Sequence, residues 1–285
     1  MAHLSNEIIK EYQKRTFRTT EPLRTPDQAI DFVNERGFIF FWPVKGTTYP
    51  SLWHAVAGER PVADNHDDPG HISWNWKDSL LDKRVWYYGR LLKKKNTIVS
   101  LEAIPFFYAL SPNYGEPAAD FQDQYDQGLL PLEAKLIFEA LLKNGPLDTI
   151  SLRKEAHLMG SASQSPFNRA LNILQEQLKV LPVAVSEAGA WGYAFVYDLT
   201  HRYYPDLQEK ARLISETSAM DQLLLYYFKS LGASRLKDVV SFFKWPSSQI
   251  ERSIRRLVSK GELFIAIHTD DLTGDYYCFP SLFEG

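Results

Sequence analysis

The sequence predicts an α+β fold of tandem winged helices, a helix-turn-helix variant of three helices and a β-hairpin. Three observations predict it. A helix pattern, SPFNRALNILQEQL, runs straight into a strand, KVLPVAV, over residues 165–185. The same succession returns as SSQIERSIRRLVSKG followed by ELFIAIH. Each is preceded by two further helical patterns and followed by a turn and a returning strand, so one unit is written twice. A third, elaborated N-terminal unit precedes them.

Taken in order, MAHLSNEIIKEYQKRTFRTTEP lacks the apolar centre of a signal peptide, and Glu7 and Glu11 argue against a transit peptide. It reads as a short amphipathic helix or an arm. Thr25 and Pro26 start a helix, a capping hydroxyl followed by proline at the first helical position. Gly37 stops it, and Phe38 to Trp42 reads as a buried strand. A short helical piece passes through Leu52 and Trp53, and ADNHDDPGHISWNW reads as irregular. Leu81, Val85, Tyr88 and Leu92 fall on one helical face, predicting a helix over 81–95. Residues 111–128 are rich in proline, glycine and acid and are expected to form a domain boundary.

In the middle unit, LPLEAKLIFEALLKNGP is the first helix, stopped by Asn144, Gly145 and Pro146, and SLRKEAHL is the second. Ser165 and Pro166 open the third, whose buried stripe is Phe167, Leu171, Leu174 and Leu178. SEAGA and WGYAFVY complete the hairpin. In the last unit the helices are AMDQLLLYYFKSLG, SRLKDVVSFF and the stretch from Ser247. TDDLTGD and YYCFPSLF close it. The expected domains are 1–115, 129–207 and 215–285.

The net charge of −3, from 32 basic and 35 acidic residues, announces neither nucleic acid nor membrane, so any electrostatic footprint is local. The densest apolar run, GFIFFWPV, is far too short to span a bilayer. Cys278 has no cysteine to pair with in the chain, which fits a reducing compartment, and the expected location is the cytoplasm.

The third helix of a helix-turn-helix enters the major groove. That helix exposes Arg252, Arg255, Arg256 and Lys260 in the last unit, and Asn168, Arg169, Asn172 and Gln175 in the middle one. Asp270, Asp271 and Asp275 on the last wing would repel phosphate. On the helix expected over 81–95, Lys83, Tyr87, Arg90 and Lys94 share a face, with Arg84 and Trp86 adjoining, suited to tracking phosphates and stacking on bases. The alternative for each is a solvated face. His66, Asp67, Asp68 and His71 lie close together but match no closed ligand spacing, so neither metal nor cofactor is expected. In WNWKDS, a buried Lys77–Asp78 pair beside Trp74 and Trp76 would hold an unstacked base or perturb a pKa; the alternative is a packed corner.

At FVYDLTHRYYPDL, residues 195–207, the sequence resembles the bacterial winged-helix DNA glycosylases of the AlkZ or YcaQ family. Tyr197, Asp198, Leu199, Thr200, His201, Arg202 and Pro205 carry the likeness, with NGP at 144–146 and SLG at 230–232. The resemblance is close over roughly 130–260 and looser before. It implies a basic channel around damaged double-stranded DNA, and glycosidic-bond hydrolysis without metal or cofactor. The family's catalytic polar pair follows its first helix and strand, where Phe41 and Pro43 stand here. Catalysis then either has moved, with His54, Asp67 and Asp78 as candidates, or is absent. A monomeric DNA-binding repair protein is the first reading; a transcriptional regulator and a protein-interaction scaffold are the others.

Overall fold

The computed structural model describes residues 3–113, 115–189, 192–268 and 272–283. A short strand, β1 (His3–Leu4), leads into α1 (Asn6–Thr16), capped by Ser5, whose hydroxyl accepts the Ile8 N–H at 3.3 Å. The first unit then runs α2 (Pro26–Arg36), β2 (Phe38–Phe40), α3 (Leu52–Ala57), α4 (Ile72–Leu80), β3 (Trp86–Arg90) and β4 (Asn96–Ser100). Two helices follow, α5 (Ile104–Ala109) and α6 (Pro117–Asp126).

The middle stretch runs α7 (Leu132–Asn144), β5 (Leu147–Asp148), α8 (Thr149–Glu155), α9 (Gln164–Glu176), β6 (Val180–Ser186) and β7 (Ala194–Leu199). The short α10 (Thr200–Tyr203) and α11 (Leu207–Arg212) connect it to the last stretch. That stretch runs α12 (Glu216–Leu231), β8 (Ala233–Ser234), α13 (Leu236–Phe243), α14 (Ser247–Ser259), β9 (Phe264–Ile265), β10 (Ile267–His268) and β11 (Tyr277–Cys278). Three stretches thus share the order helix, strand, helix, helix and then strands, two in the first and middle stretches and three in the last. Their sheets share one arrangement too, the final strand lying between the other two: β2-β4-β3, β5-β7-β6 and β8-β11-β9. β1 reaches across to pair in parallel with β10.

Local chemistry explains several boundaries. Thr25 caps α2 by accepting the Gln28 N–H at 3.2 Å, and Gly37, at φ 77°, releases the chain into β2. Asp148 caps α8 with two backbone bonds. The cap expected at Ser165 is not used: α9 begins one residue earlier, continuing a 3₁₀ turn over Ser161–Ser163.

Two secondary-structure expectations are corrected. Residues 81–95 form no helix; they hold 3₁₀ turns at Leu81–Lys83 and Leu92–Lys94 around the strand β3. Residues 72–76, the end of the stretch expected to be irregular, open the helix α4. Within 111–128, α6 stacks Phe121 on Phe138 of α7, with ring centroids 4.5 Å apart. Asp270, Asp271 and Trp191 lie outside the described residues.

β2 is buried on both sides. Phe38 and Phe40 face a core shared with the last unit, with Phe38 stacked on Tyr49 at 5.2 Å and Phe40 beside Phe242 at 5.9 Å. Ile39 and the following Phe41 face the first unit's own core of Phe32, Leu52, Trp76 and Trp86. This double burial accounts for the unbroken apolar run GFIFFWPV, since no position on the strand faces water. A Cβ at Gly37 would clash with the ring of Tyr226 on α12, several of whose atoms would lie under 3 Å away. Gly37→Ala is therefore expected to cost about 2 kcal/mol or more, from positive φ and overpacking together. Urea denaturation checks this; an unchanged midpoint would contradict the close approach of β2 to α12.

Candidate nucleic-acid interface

A cleft of about 1060 Å³ opens where the chain leaves β2, between α1 and the first unit. Its walls include Lys10, Gln13 and Lys14 of α1, the segment Pro43–Lys45, and His54 of α3. Phe17, Val44, Tyr49, Pro61 and Val62 make much of the lining apolar. A second cavity of about 340 Å³ shares Lys10, Gln13, Thr47 and Thr48 and carries the groove on to Lys93, Tyr227 and Phe242.

Lysines outnumber carboxylates along this groove, while Lys14 pairs with Glu11 at 3.1 Å and Asp238, held by Arg235, lines the second cavity. Lys10, Lys14 and Lys45 are exposed. Burial pushes the Lys93 pKa down, and the neighbouring charge of Lys244 adds to the effect. Arg60 is engaged elsewhere, since its guanidinium grips Asp68 through bonds of 3.0 and 2.5 Å. Among the described residues lining the larger cleft, Glu59 is the carboxylate. His54 is half-buried, and burial lowers its pKa against the opposing pull of Glu59, so the imidazole is neutral near pH 7.

The Lys77–Asp78 pair lies elsewhere, where the first unit meets the middle unit's hairpin. Lys77 is 1% exposed and ion-paired with Asp78. It donates to the Tyr193 hydroxyl at 2.9 Å, and that hydroxyl donates to Asp78 at 3.0 Å. The rings of Phe195, Trp74, Tyr88, Phe41 and Tyr193 surround the ammonium, the nearest centroid at 4.6 Å. Burial lowers the Lys77 pKa while Asp78 works to restore it. Phe41 is thus a wall of this cage, whereas Pro43 lines the cleft.

Asp67 sits exposed in a turn, its N–H donating to Asn65. Asp68 is held by Arg60, and His71 Nε2 lies 2.9 Å from the Ala63 carbonyl.

The YDLTHR stretch proves to be a clamp. Arg202 donates to Asp198 at 2.8 Å and to the carbonyls of Leu141 and Leu142, closing the C-terminal end of α7 just before Gly145. Tyr203 and Tyr204 donate to the Leu81 and Trp86 carbonyls, tying the stretch to the first unit. Tyr197 is buried, which pushes its phenol up to about 12, and burial lowers the His201 pKa.

A family model described as AlkZ related matches residues 23–269. The chain belongs to the AlkZ-related family. Its fold is similar to that of the Streptomyces sahachiroi DNA glycosylase AlkZ, with TM-score 0.63 at 12% identity, over 99% of this chain and 72% of that one. No curated protein matches the chain.

The other residues singled out in this AlkZ-related chain are scattered. Tyr87 is fully buried, so it offers no face for base stacking, and it shares no helix with Lys83, Arg90 and Lys94. Lys83 is exposed beside Asp82, and Arg84 lies over the Tyr203 ring at 4.6 Å. Arg90 is exposed, but its N–H bonds Gln175, which is buried rather than presented outward. The C-terminal half of α9 is thereby covered by the first unit. Arg169 is exposed and Asn172 half-buried. On α14, Arg252 is exposed and Arg255 pairs with Glu251 at 2.6 Å. Arg256, expected to be free, binds Asp221 and Ser253.

Lys10, Lys14, Lys45 and Lys93 were not legible as a set, because they come from separate segments. The signal present was Lys10 and Lys14, one helical turn apart opposite the buried Tyr12.

Removing one partner of a buried ion pair leaves the other uncompensated. Lys77→Ala is expected to cost about 3 kcal/mol, and Tyr193→Phe about 1 kcal/mol. Chemical denaturation checks both, and a Lys77→Ala cost no larger than that of a surface substitution would contradict a stabilising role for the buried Lys77–Asp78–Tyr193 contact.

Proposed function

We propose that this protein is a repair-type protein that binds duplex DNA through three winged-helix units, with the lysine-walled groove as its principal phosphate-binding surface. The observation that carries this reading is the groove itself. Cations on its walls suit phosphates, and an aromatic, apolar lining suits a base. The helix order and common sheet arrangement of the three units support the winged-helix assignment. Family membership and the fold shared with a DNA glycosylase support the repair assignment. Arg252 on α14 and Arg169 at the uncovered start of α9 extend the cationic surface. We place the protein in the cytoplasm as a monomer, a reading its buried thiol, Cys278, fits. No described helix is long and apolar enough to cross a membrane.

Anisotropy titrations of a labelled duplex at 50 and 200 mM salt test this. Lys10→Ala, Lys14→Ala and Lys45→Ala combined are expected to weaken binding about tenfold or more. They should also lower the salt slope by up to about three. Arg252→Ala with Arg255→Ala is expected to lower the slope by up to about two. An unchanged affinity in the lysine variant beside a large loss in the arginine variant would move the interface to α14. No binding at 50 mM salt would sink the reading.

A further inference from the structure

We propose that the tip of the β3–β4 hairpin and the turn between α13 and α14 form a second phosphate-binding site, at which Lys93, Lys94, Lys95 and Lys244 hold the backbone of a DNA strand where it leaves the groove. The inference rests on the DNA-binding reading above and adds a contact that Lys10, Lys14 and Lys45 do not supply.

The site is assembled by packing. β3 and β4 pair from Trp86 and Ser100 to Arg90 and Asn96, so residues 91–95 are the tip of the hairpin. Within the tip, the turn Leu92–Lys94 packs against both α9 and α13, where the first unit meets the other two. Lys93 Nζ donates to the Ser241 carbonyl at 3.1 Å and pins the tip to α13. That helix ends at Phe243, and the charge of Lys244, the next residue, reaches Lys93. Lys94, Lys95 and Lys244 are exposed. Among the described residues the ion-paired lysines are Lys14, Lys77, Lys83, Lys135 and Lys260, so all four lysines here lack a carboxylate partner. Glu176 of α9 feels the charge of Lys94 without pairing with it, and burial pushes its carboxyl up.

The backbone adds an independent observation. Lys93, Lys94 and Lys244 have φ of 52°, 59° and 62°. Three of the seven non-glycine residues at positive φ among the described residues thus gather in one place, and all three are lysine. A Cβ is crowded in that conformation, which glycine adopts freely and asparagine more readily than most. Lys244 caps α13, donating its N–H to the Val240 carbonyl, at a position where glycine is the common residue. Local folding alone would be better served by glycine. What lysine adds is charge, and like charges on two adjoining turns repel until an anion lies among them. Strain of this kind gathers at ligand clamps. A phosphodiester backbone is the fitting anion, because its charges repeat along a strand and can meet lysines spread over two segments.

Lys94→Gly with Lys244→Gly tests this in the full-length protein, since it removes two charges and relieves two strained residues together. Anisotropy titrations of a labelled duplex at 50 and 200 mM salt are read beside thermal melting. Affinity is expected to fall about fivefold or more and the salt slope by up to about two. The melting temperature should be unchanged or raised. Lys94→Asn with Lys244→Asn, whose side chains accept the same backbone, should show the same loss. Lys143→Ala with Lys154→Ala removes the same net charge from the middle unit and should bind within about twofold of wild type. Wild-type affinity and slope in both turn variants overturn the proposal and leave the groove of Lys10, Lys14 and Lys45 standing. An equal loss in the Lys143 and Lys154 variant also overturns it, because the effect would then belong to overall charge. So does a lowered melting temperature in both turn variants, which would make these lysines structural. Absence of wild-type binding at 50 mM salt overturns both readings.

Discussion

The burial of β2 on both faces is the constraint on which the rest depends. Phe38 and Phe40 are committed to the core that joins the first unit to α12 and α13. Ile39 and Phe41 are committed to the first unit's own core. Replacing any of them by an amide or a carboxylate would bury an unpartnered polar group. The strand therefore sets the spacing of the first and last units and carries no chemistry of its own. Where it ends, at Pro43, the cleft opens. Polar groups reach that space from α1, α3 and the loop after Gly58 instead.

A second regularity is the division of labour between arginine and lysine. Arg60, Arg202, Arg235 and Arg256 each grip a carboxylate, and Arg202 also closes the end of a helix. The planar guanidinium suits such fixed, directional pairs. The lysines of the groove, as compact and well-hydrated charges on flexible stems, remain on its walls. A chain of net charge −3 can thus present a lysine-rich groove, because several of its carboxylates are neutralised by arginine elsewhere. Lys77 is the exception, a lysine buried at the contact between two units within an aromatic cage.

Much of this was legible in the sequence where local chemistry decides. The Thr25 cap, the Gly37 stop, the α7 stop at Gly145 and the apolar stripe of α9 are all present. Residues 81–95 misled because β3 is buried on both faces. Trp86, Tyr87 and Tyr88 are all interior, so no alternation marked a strand, and the spacing of Leu81, Tyr88 and Leu92 imitated a helix. α4 was hidden behind the turn chemistry of Asn65 to Pro69. Arg256 looked free because Asp221, its partner, belongs to another helix. At the site, His54 was named from the sequence, whereas the lysine set was not. Lys10 on α1 and Lys45 beyond β2 line one cleft from distant parts of the chain, which no spacing announces.

The central claim is that the lysine-walled groove, not an isolated third helix, meets the nucleic acid. Lysine acylation footprinting with and without saturating duplex tests it most directly. The account predicts that DNA shields Lys10, Lys14, Lys45 and Lys93 while Lys143 and Lys154 of the middle unit stay fully labelled. Undiminished labelling of the four groove lysines in the saturated complex would contradict it.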